Sequence, residues 1–387
     1  MKKIFAISAG RSDYDRYLPI LEELNKRSNV NLYLILAGAH YSSKFGKTFK
    51  FINKNFKIIK PRKVNKSYSD KSTWLIRRFS EDLNFLSKNI QKYKPDVLIV
   101  MGDRLEILIA PIASIPNNIP VIHFYGGAVT EGAVDELVRH AVTKLSHYHF
   151  VALNKYKNRL IQLGEEKWRI NTAGIHNINL LKSVKKISIH NLSKTIGINL
   201  SDPYLLLTFH PVTLELKKIK NQINSIVKAI KKTKLNVVIT YPNADIGHDK
   251  IIKIILKKMF NKKKYKIIKN CGIEIYSNLL QNCLAMVGNS SSGIVEAATF
   301  NIPVVNIGTR QDGKFKPKNV LDCGYSWKDI YNKILKAKNK KLSKKYNNSK
   351  NPYEAKIPLK KIVKMILNID NRDKILRKKF IDIKKNF

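Results

Sequence analysis

Short runs of apolar, β-branched residues alternate with amphipathic stretches of helical period, and the chain goes through this alternation twice. KKIFAIS, NLYLILAG, DVLIVMG, PVIHFYG and YHFVALN come first; after a break the pattern restarts with YLLLTFH, NVVITYP, LAMVGNS and PVVNIG. Runs that stay apolar at consecutive positions belong in strands covered on both faces, the condition of a parallel sheet between helix layers. A chain of 387 residues holds two domains at roughly 150 residues each. The pattern therefore predicts two doubly wound α/β domains. Residues 1–176 form the first and residues 177–387 the second, with the boundary in the stretch Gly174–Ser193, where the alternation lapses. The lysine-rich stretch after Asp370 is helical in pattern.

Composition narrows the function classes. Hydrophobic residues make up 44% of the chain, enough for full cores. No apolar run approaches the roughly 18–20 residues of a membrane helix, so no membrane partner is expected. MKKIFAISAG begins like a leader, but Arg11, Asp13 and Asp15 follow at once, and a buried first strand is the better reading. Cys271, Cys283 and Cys323 are scattered without a CxxC pair, which fits a reducing, cytoplasmic setting and gives no structural zinc. The histidines lack ligand spacing, so no metal and no cofactor is expected.

The formal net charge is +45. A nucleic-acid protein would gather its cations on one stripe with aromatic platforms. Here lysines spread over helix faces, as in KIIKIILKKMFNKKKYK, and accompany abundant Ile and Asn, a pattern of biased codon usage. No specific nucleic-acid partner is expected; a small acidic substrate is favoured by such a field.

In open parallel sheets ligands bind outside the carboxyl ends of the strands. Although the chain has only 17 glycines, Gly10, Gly38, Gly102, Gly126, Gly127, Gly288, Gly293 and Gly308 all sit at strand exits. Among these exits, GNSSSGIVEA (Gly288–Ala297) opens a helix with Ser290, Ser291 and Ser292 ahead of Gly293. Free backbone N–H groups and hydroxyls there suit a phosphate, with Glu296 one turn on to accept from a ribose; a plain serine cap explains part of the same pattern. The segment lacks the Walker lysine and no GxGxxG occurs, which weakens ATPase and dinucleotide readings.

MGDRLE places Asp103 after a strand, where it acts as a base or caps the next helix. HFYGGAVTEGAVDELVRHAVTK follows a glycine pair with Glu131 and Asp135. If the helix already includes Glu131, both carboxylates share one face with Arg139 a turn further; otherwise Asp135 and Arg139 form a surface pair. FHPVTLE puts His210, and TYPNADIGH puts Asn243 and Asp245, at further strand exits, and NIGTRQDG puts Arg310 in the next loop.

Read in order, AGRSDYDRYLPIL, GDRLEILIA, GGAVTEGAVDELVRHAVTKLSHYHF, TFHPVTLE, YPNADIG and NSSSGIVEAATFNIPVVNIGTRQDG resemble the hydrolysing UDP-N-acetylglucosamine 2-epimerases of sialic and legionaminic acid pathways. The likeness runs from about Lys3 to about Gly313. It implies the GT-B architecture, two Rossmann-like domains with a nucleotide sugar in the interdomain cleft, and a homodimer. By motif, Ser291, Ser292 and Gly293 (with Ser290 leading them) meet the pyrophosphate and Glu296 the ribose. Arg310 meets the nucleotide, Arg11, His210 and Asn243 are further contacts, and Asp103 and Asp135 match acid/base carboxylates.

The implied reaction removes the C2 proton as the nucleotide departs, then adds water to the resulting glycal. A C2 proton beside an acetamido group is poorly acidic, so a placed carboxylate must take it and a second group must return one on the other face. The leaving diphosphate needs cationic and N–H partners. Related sequences carry a Glu within the stretch held here by Tyr125 to Ala128, and neither of those positions is acidic. Glu131, in the TEGA variant of the loop, is the expected replacement. The RSDY and TEGA forms favour the hydrolysing branch over the non-hydrolysing epimerases, and GDR with VTEGAVDE argues against a glycosyltransferase. A basic nucleic-acid-binding protein is the alternative from another class.

Overall fold

The computed structural model describes residues 1–60, 69, 71–260, 263–339, 350–369 and 372–382. They form two compact units. The first holds Met1–Ala128, Asp135–Asn179 and the chain from Tyr353 on; the second holds Val129–Val134 and Leu180–Pro352.

The first unit is built on β1 (Lys2–Ser8), β2 (Val30–Leu36), β3 (Lys57–Ile59), β4 (Val97–Met101), β5 (Val121–Phe124), β6 (Tyr148–Val151) and β7 (Ile170–Thr172). Their order across the sheet is β3-β2-β1-β4-β5-β6-β7, and every pairing is parallel. The second unit holds β8 (Tyr204–Thr208), β9 (Asn236–Thr240), β10 (Tyr265–Ile268), β11 (Ala285–Gly288), β12 (Val304–Ile307) and β13 (Val320–Cys323), ordered β10-β9-β8-β11-β12-β13 and again parallel. Strand order reverses between β1 and β4 in one sheet and between β8 and β11 in the other.

The consecutive apolar runs have a direct physical counterpart. Every residue of β4 and of β8 is buried. Along β8, Leu205 and Leu207 join a core with Ile219, Ile223, Ile226 and Ile230 of the helix Ile219–Thr233, while Leu206 joins the opposite core with Leu192, Val238 and Met286. Successive side chains thus enter cores on opposite faces of the pleat, and each fully buried Leu or Ile contributes about 1.5–3 kcal/mol.

β3, β7, β10 and β13 are four strands beyond those read from the sequence. All are edge strands of three or four residues, too short and too exposed to leave an apolar run.

The chain from Tyr353 on groups with the first unit, although the sequence reading assigns it to the second half. Ile175 N donates to Tyr353 O at 2.8 Å and the hydroxyls of Tyr156 and Tyr353 meet at 3.0 Å. Fully buried Arg169 donates to the carbonyls of Ile375 (2.7 Å) and Arg377 (3.0 Å). The predicted helix near the end is short, Arg372–Leu376, and residues 377–382 after it are neither helix nor strand. Among the described residues no helix is long and apolar enough to cross a membrane.

Candidate active site

In the first unit, β1 ends on Ser8 and the helix Arg11–Asn25 begins after Gly10. The buried Asp13 carboxylate ties this turn down: Ala9 N donates to Oδ2 at 2.9 Å and Ser12 Oγ to Oδ1 at 3.1 Å. Burial pushes the Asp13 carboxyl up to about 6, against the pull of Arg104. Arg11 is the first residue of that helix, directly after the exit of β1, with its Nε 3.9 Å from Asp15 Oδ2.

β4 ends at Met101, and the chain turns through Gly102 at φ +84°, a left-handed conformation that glycine adopts without strain. Asp103 follows. Arg139 donates to Asp103 Oδ2 from Nε (3.0 Å) and Nη2 (2.5 Å). The same guanidinium donates from Nη1 to Glu136 Oε2 (2.6 Å) and to the Ala128 carbonyl (2.9 Å). Arg139 is fully buried. Burial works against its charge, yet the carboxylates of Asp103, Glu136 and Asp135 outweigh that cost and raise its pKa.

The helix carrying Arg139 spans Asp135–Leu145. Glu131 lies in the turn before it, so Glu131 and Asp135 do not share a helical face, and Arg139 is a buried partner of Asp103 and Glu136 instead of half of a surface pair with Asp135. Thr-Glu-Gly has turn chemistry that the helical spacing concealed.

Glu131 belongs instead with the second unit. Val129–Val134 packs there as a strap: Glu131 N donates to Asp312 O at 3.2 Å and Val134 N to Thr213 Oγ1 at 2.9 Å. A Cβ on Gly132 would lie 2.8 Å from Thr309 O and 2.9 Å from Arg310 Cα, so the strap fits only with glycine at that position. Glu131 is exposed beside the loop that carries Arg310.

The remaining residues of the second unit converge on Asn289, which sequence reasoning did not single out. Its side chain accepts from His210 N (2.7 Å) and donates to His210 O (2.9 Å). Its carbonyl accepts from Arg310 Nη1 (3.3 Å) and Gln311 Nε2 (2.8 Å). The Asn289 side chain is fully buried, and its place directly after β11 was the available signal. Asn243 N donates to His210 Nδ1 at 2.9 Å, so Nδ1 is the acceptor and the ring presents Nε2 as its N–H. Arg310 Nη2 lies 3.6 Å from Asp245 Oδ2.

The serine segment folds as a short helix, Ser291–Val295, capped by Ser290, whose Oγ accepts from Ser292 N at 3.3 Å. Ser292 Oγ donates to Glu296 Oε2 at 2.5 Å and meets the Tyr276 hydroxyl at 2.5 Å. Gly293 is buried against Val304, with 2.8 Å from its missing Cβ to Val304 Cγ1, so it lets this turn seat on β12. Among the described residues no group of three or more His, Cys, Asp and Glu is arranged to hold a metal ion.

Two parallel sheets, each gathering polar side chains at strand exits beside its reversal of order, are the layout of nucleotide-handling α/β enzymes. The family model for UDP-N-acetylglucosamine 2-epimerase matches residues 22–367, and the chain belongs to that family. It is 34% identical to the GDP/UDP-N,N'-diacetylbacillosamine 2-epimerase (hydrolyzing) of Campylobacter jejuni over 99% of each chain. It is 33% identical to the UDP-N,N'-diacetylbacillosamine 2-epimerase (hydrolyzing) of Legionella pneumophila over 88% of this chain and 90% of that one. These relatives place it on the hydrolysing side of the family. The fold is shared with the UDP-GlcNAc 2-epimerase of Neisseria meningitidis bound to UDP-GlcNAc, at TM-score 0.75 and 19% identity over 94% of this chain and 98% of that chain. It is also shared with the Methanocaldococcus jannaschii enzyme in complex with UDP-GlcNAc and UDP, at TM-score 0.77 and 21% identity over 94% and 99%. Both support an α/β fold of two Rossmann-like units of GT-B type.

Proposed function

We propose that the chain converts a nucleotide-linked N,N'-diacetylbacillosamine to the free C2-inverted sugar and the nucleoside diphosphate, Asp103 supplying the base. The observation that carries this reading is the Asp103–Arg139 pair: a fully buried guanidinium aims two N–H groups at one carboxylate oxygen at the exit of β4. Such an anchor fixes a base in position at the sheet's reversal point, where proton abstraction needs geometry before it needs basicity. The sugar is carried over from the relatives in Campylobacter jejuni and Legionella pneumophila. UDP-N-acetylglucosamine is the second reading, favoured by the UDP-GlcNAc held in a solved structure of the same fold.

In this account the base takes the C2 proton, the C1–O bond breaks, and the diphosphate leaves with that electron pair. Water then adds its hydroxyl to C1, and a proton returns to C2 on the opposite face. Arg310, His210 Nε2–H and the start of the serine-led helix meet the growing charge on the leaving group; Glu296 and Asn243 fix the nucleoside, and Arg11 adds a cation. Asp135 and Glu131 are the candidates for returning the proton, Glu131 being the exposed one beside the Arg310 loop. The free cysteines suit a reducing, cytoplasmic setting, and a homodimer completes the reading.

The test is a panel of UDP- and GDP-linked N,N'-diacetylbacillosamine and UDP-N-acetylglucosamine, with free nucleotide and free sugar measured for wild type and Glu131→Gln. Release of both products from a diacetamido substrate is expected, and Glu131→Gln should fall about 10²-fold in kcat. No release from any of the three would overturn the reading, and near-normal turnover by Glu131→Gln would remove that residue from it.

A further inference from the structure

His123 lies on β5, fully buried, and nothing in the reaction described above uses it. Its Nε2 is 2.9 Å from the Gly102 carbonyl and its Nδ1 is 3.2 Å from Thr143 Oγ1. A carbonyl only accepts, so Nε2 carries the hydrogen, and Nδ1 takes the hydroxyl hydrogen of Thr143. The ring has one tautomer that satisfies both contacts. Burial pushes its pKa down to about 3, so it stays neutral and titrates nothing near neutrality.

Gly102 and Asp103 are consecutive, and the Gly102 peptide is otherwise held by its N–H on Phe124 O at 3.1 Å. Thr143 and Arg139 sit one turn apart on the helix Asp135–Leu145, so the helix that grips the Asp103 carboxylate through Arg139 also fixes the ring behind it through Thr143. Gly126 completes the cradle: a Cβ there would lie 2.8 Å from Thr143 Oγ1 and 2.9 Å from His123 Nδ1.

We infer that His123 and Thr143 are positioning residues for the reaction: the imidazole clamps the Gly102 carbonyl and so sets the turn that presents Asp103 to the C2 proton. This rests on the assignment of Asp103 under the proposed function. A clamp of this kind acts on kcat, because a base displaced by about 1 Å loses up to roughly 10²-fold in rate while ground-state binding is little changed.

The experiment measures kcat, KM, UDP affinity and melting midpoint for His123→Leu, His123→Gln, Thr143→Val and Thr143→Ser, with Asp103→Asn and Asp103→Asn/His123→Leu alongside. His123→Leu is expected to lose about 10²-fold in kcat with KM within a few-fold. His123→Gln restores a donor near the Nε2 position and should recover most of that loss. Thr143→Val should lose about tenfold, and Thr143→Ser should recover most of it. In the Asp103→Asn background, His123→Leu should add almost nothing, since both changes remove one function.

Wild-type kcat in His123→Leu and Thr143→Val would overturn the inference. So would a full additive loss in the double variant, or equal losses in His123→Leu and His123→Gln accompanied by matching losses of melting midpoint and UDP affinity. Should His123→Leu fail to fold, the Thr143→Val and Thr143→Ser pair decides. An Asp103→Asn enzyme close to wild type overturns the assignment of Asp103 and this inference with it; an inactive Asp103→Asn beside unaffected His123 and Thr143 variants overturns this inference alone.

Discussion

Asp103→Asn is expected to lower kcat about 10³-fold, the scale of removing a positioned general base, while leaving the protein folded and its UDP affinity within a few-fold of wild type. The geometry separates the two effects. Arg139 keeps Glu136 Oε2 at 2.6 Å and the Ala128 carbonyl at 2.9 Å when the Asp103 charge is gone. The buried guanidinium is therefore not stranded, and the stability loss stays below the roughly 3–5 kcal/mol that a wholly unpaired buried charge would cost. Asparagine preserves the shape of the side chain and one oxygen for Arg139, but it cannot accept the C2 proton. Single-turnover kinetics with a melting curve on the same sample checks this, and a kcat within about tenfold of wild type would remove Asp103 from the base role.

Arg310→Ala should weaken UDP binding by about 10²-fold, equivalent to roughly 2.7 kcal/mol, within the range for truncating a buried charged hydrogen-bonding partner. Arg310 is nearly buried and braced by the Asn289 carbonyl at 3.3 Å and by Asp245 at 3.6 Å, so its fork is oriented before a ligand arrives and little entropy is lost on binding. Arg310→Lys keeps the charge and loses the planar fork, and should fall between the two. Isothermal titration with UDP reads both; unchanged affinity in Arg310→Ala would mean that the diphosphate is held elsewhere.

The central strands were legible because burial on both faces leaves an uninterrupted apolar run that no solvated element produces. β10, YKII, shows where that signal stops: all four residues are only half-buried and lysines flank it, so its run is diluted by the solvent side of an edge. The six motifs at strand exits were legible for the same reason as the strands, since glycine and polar residues directly after an apolar run mark where a sheet ends.

At Glu131 the sequence left open whether the helix already includes that residue, and it starts only at Asp135. A spacing of four suggests one helical face, but whether a turn precedes the helix is decided by what Gly132 packs against, and those atoms, Thr309 O and Arg310 Cα, are far away in the chain. Asn289 and His123 were missed because each acts through backbone groups of a neighbouring strand exit, a relation that exists only once β8, β11, β4 and β5 lie side by side. The grouping of Tyr353 and its successors with the first unit is likewise a long-range fact, carried by pairs such as Arg169 with the Ile375 carbonyl, and local periodicity contains no trace of it.

Elimination of the nucleotide followed by hydration can be monitored by proton NMR during turnover in deuterium oxide. Free nucleoside diphosphate and free C2-inverted sugar are expected in equal amounts, the sugar bearing one deuterium at C2 delivered from solvent. Free sugar that keeps its C2 proton, or deuterium appearing at C2 of an intact nucleotide sugar with nothing released, would contradict it.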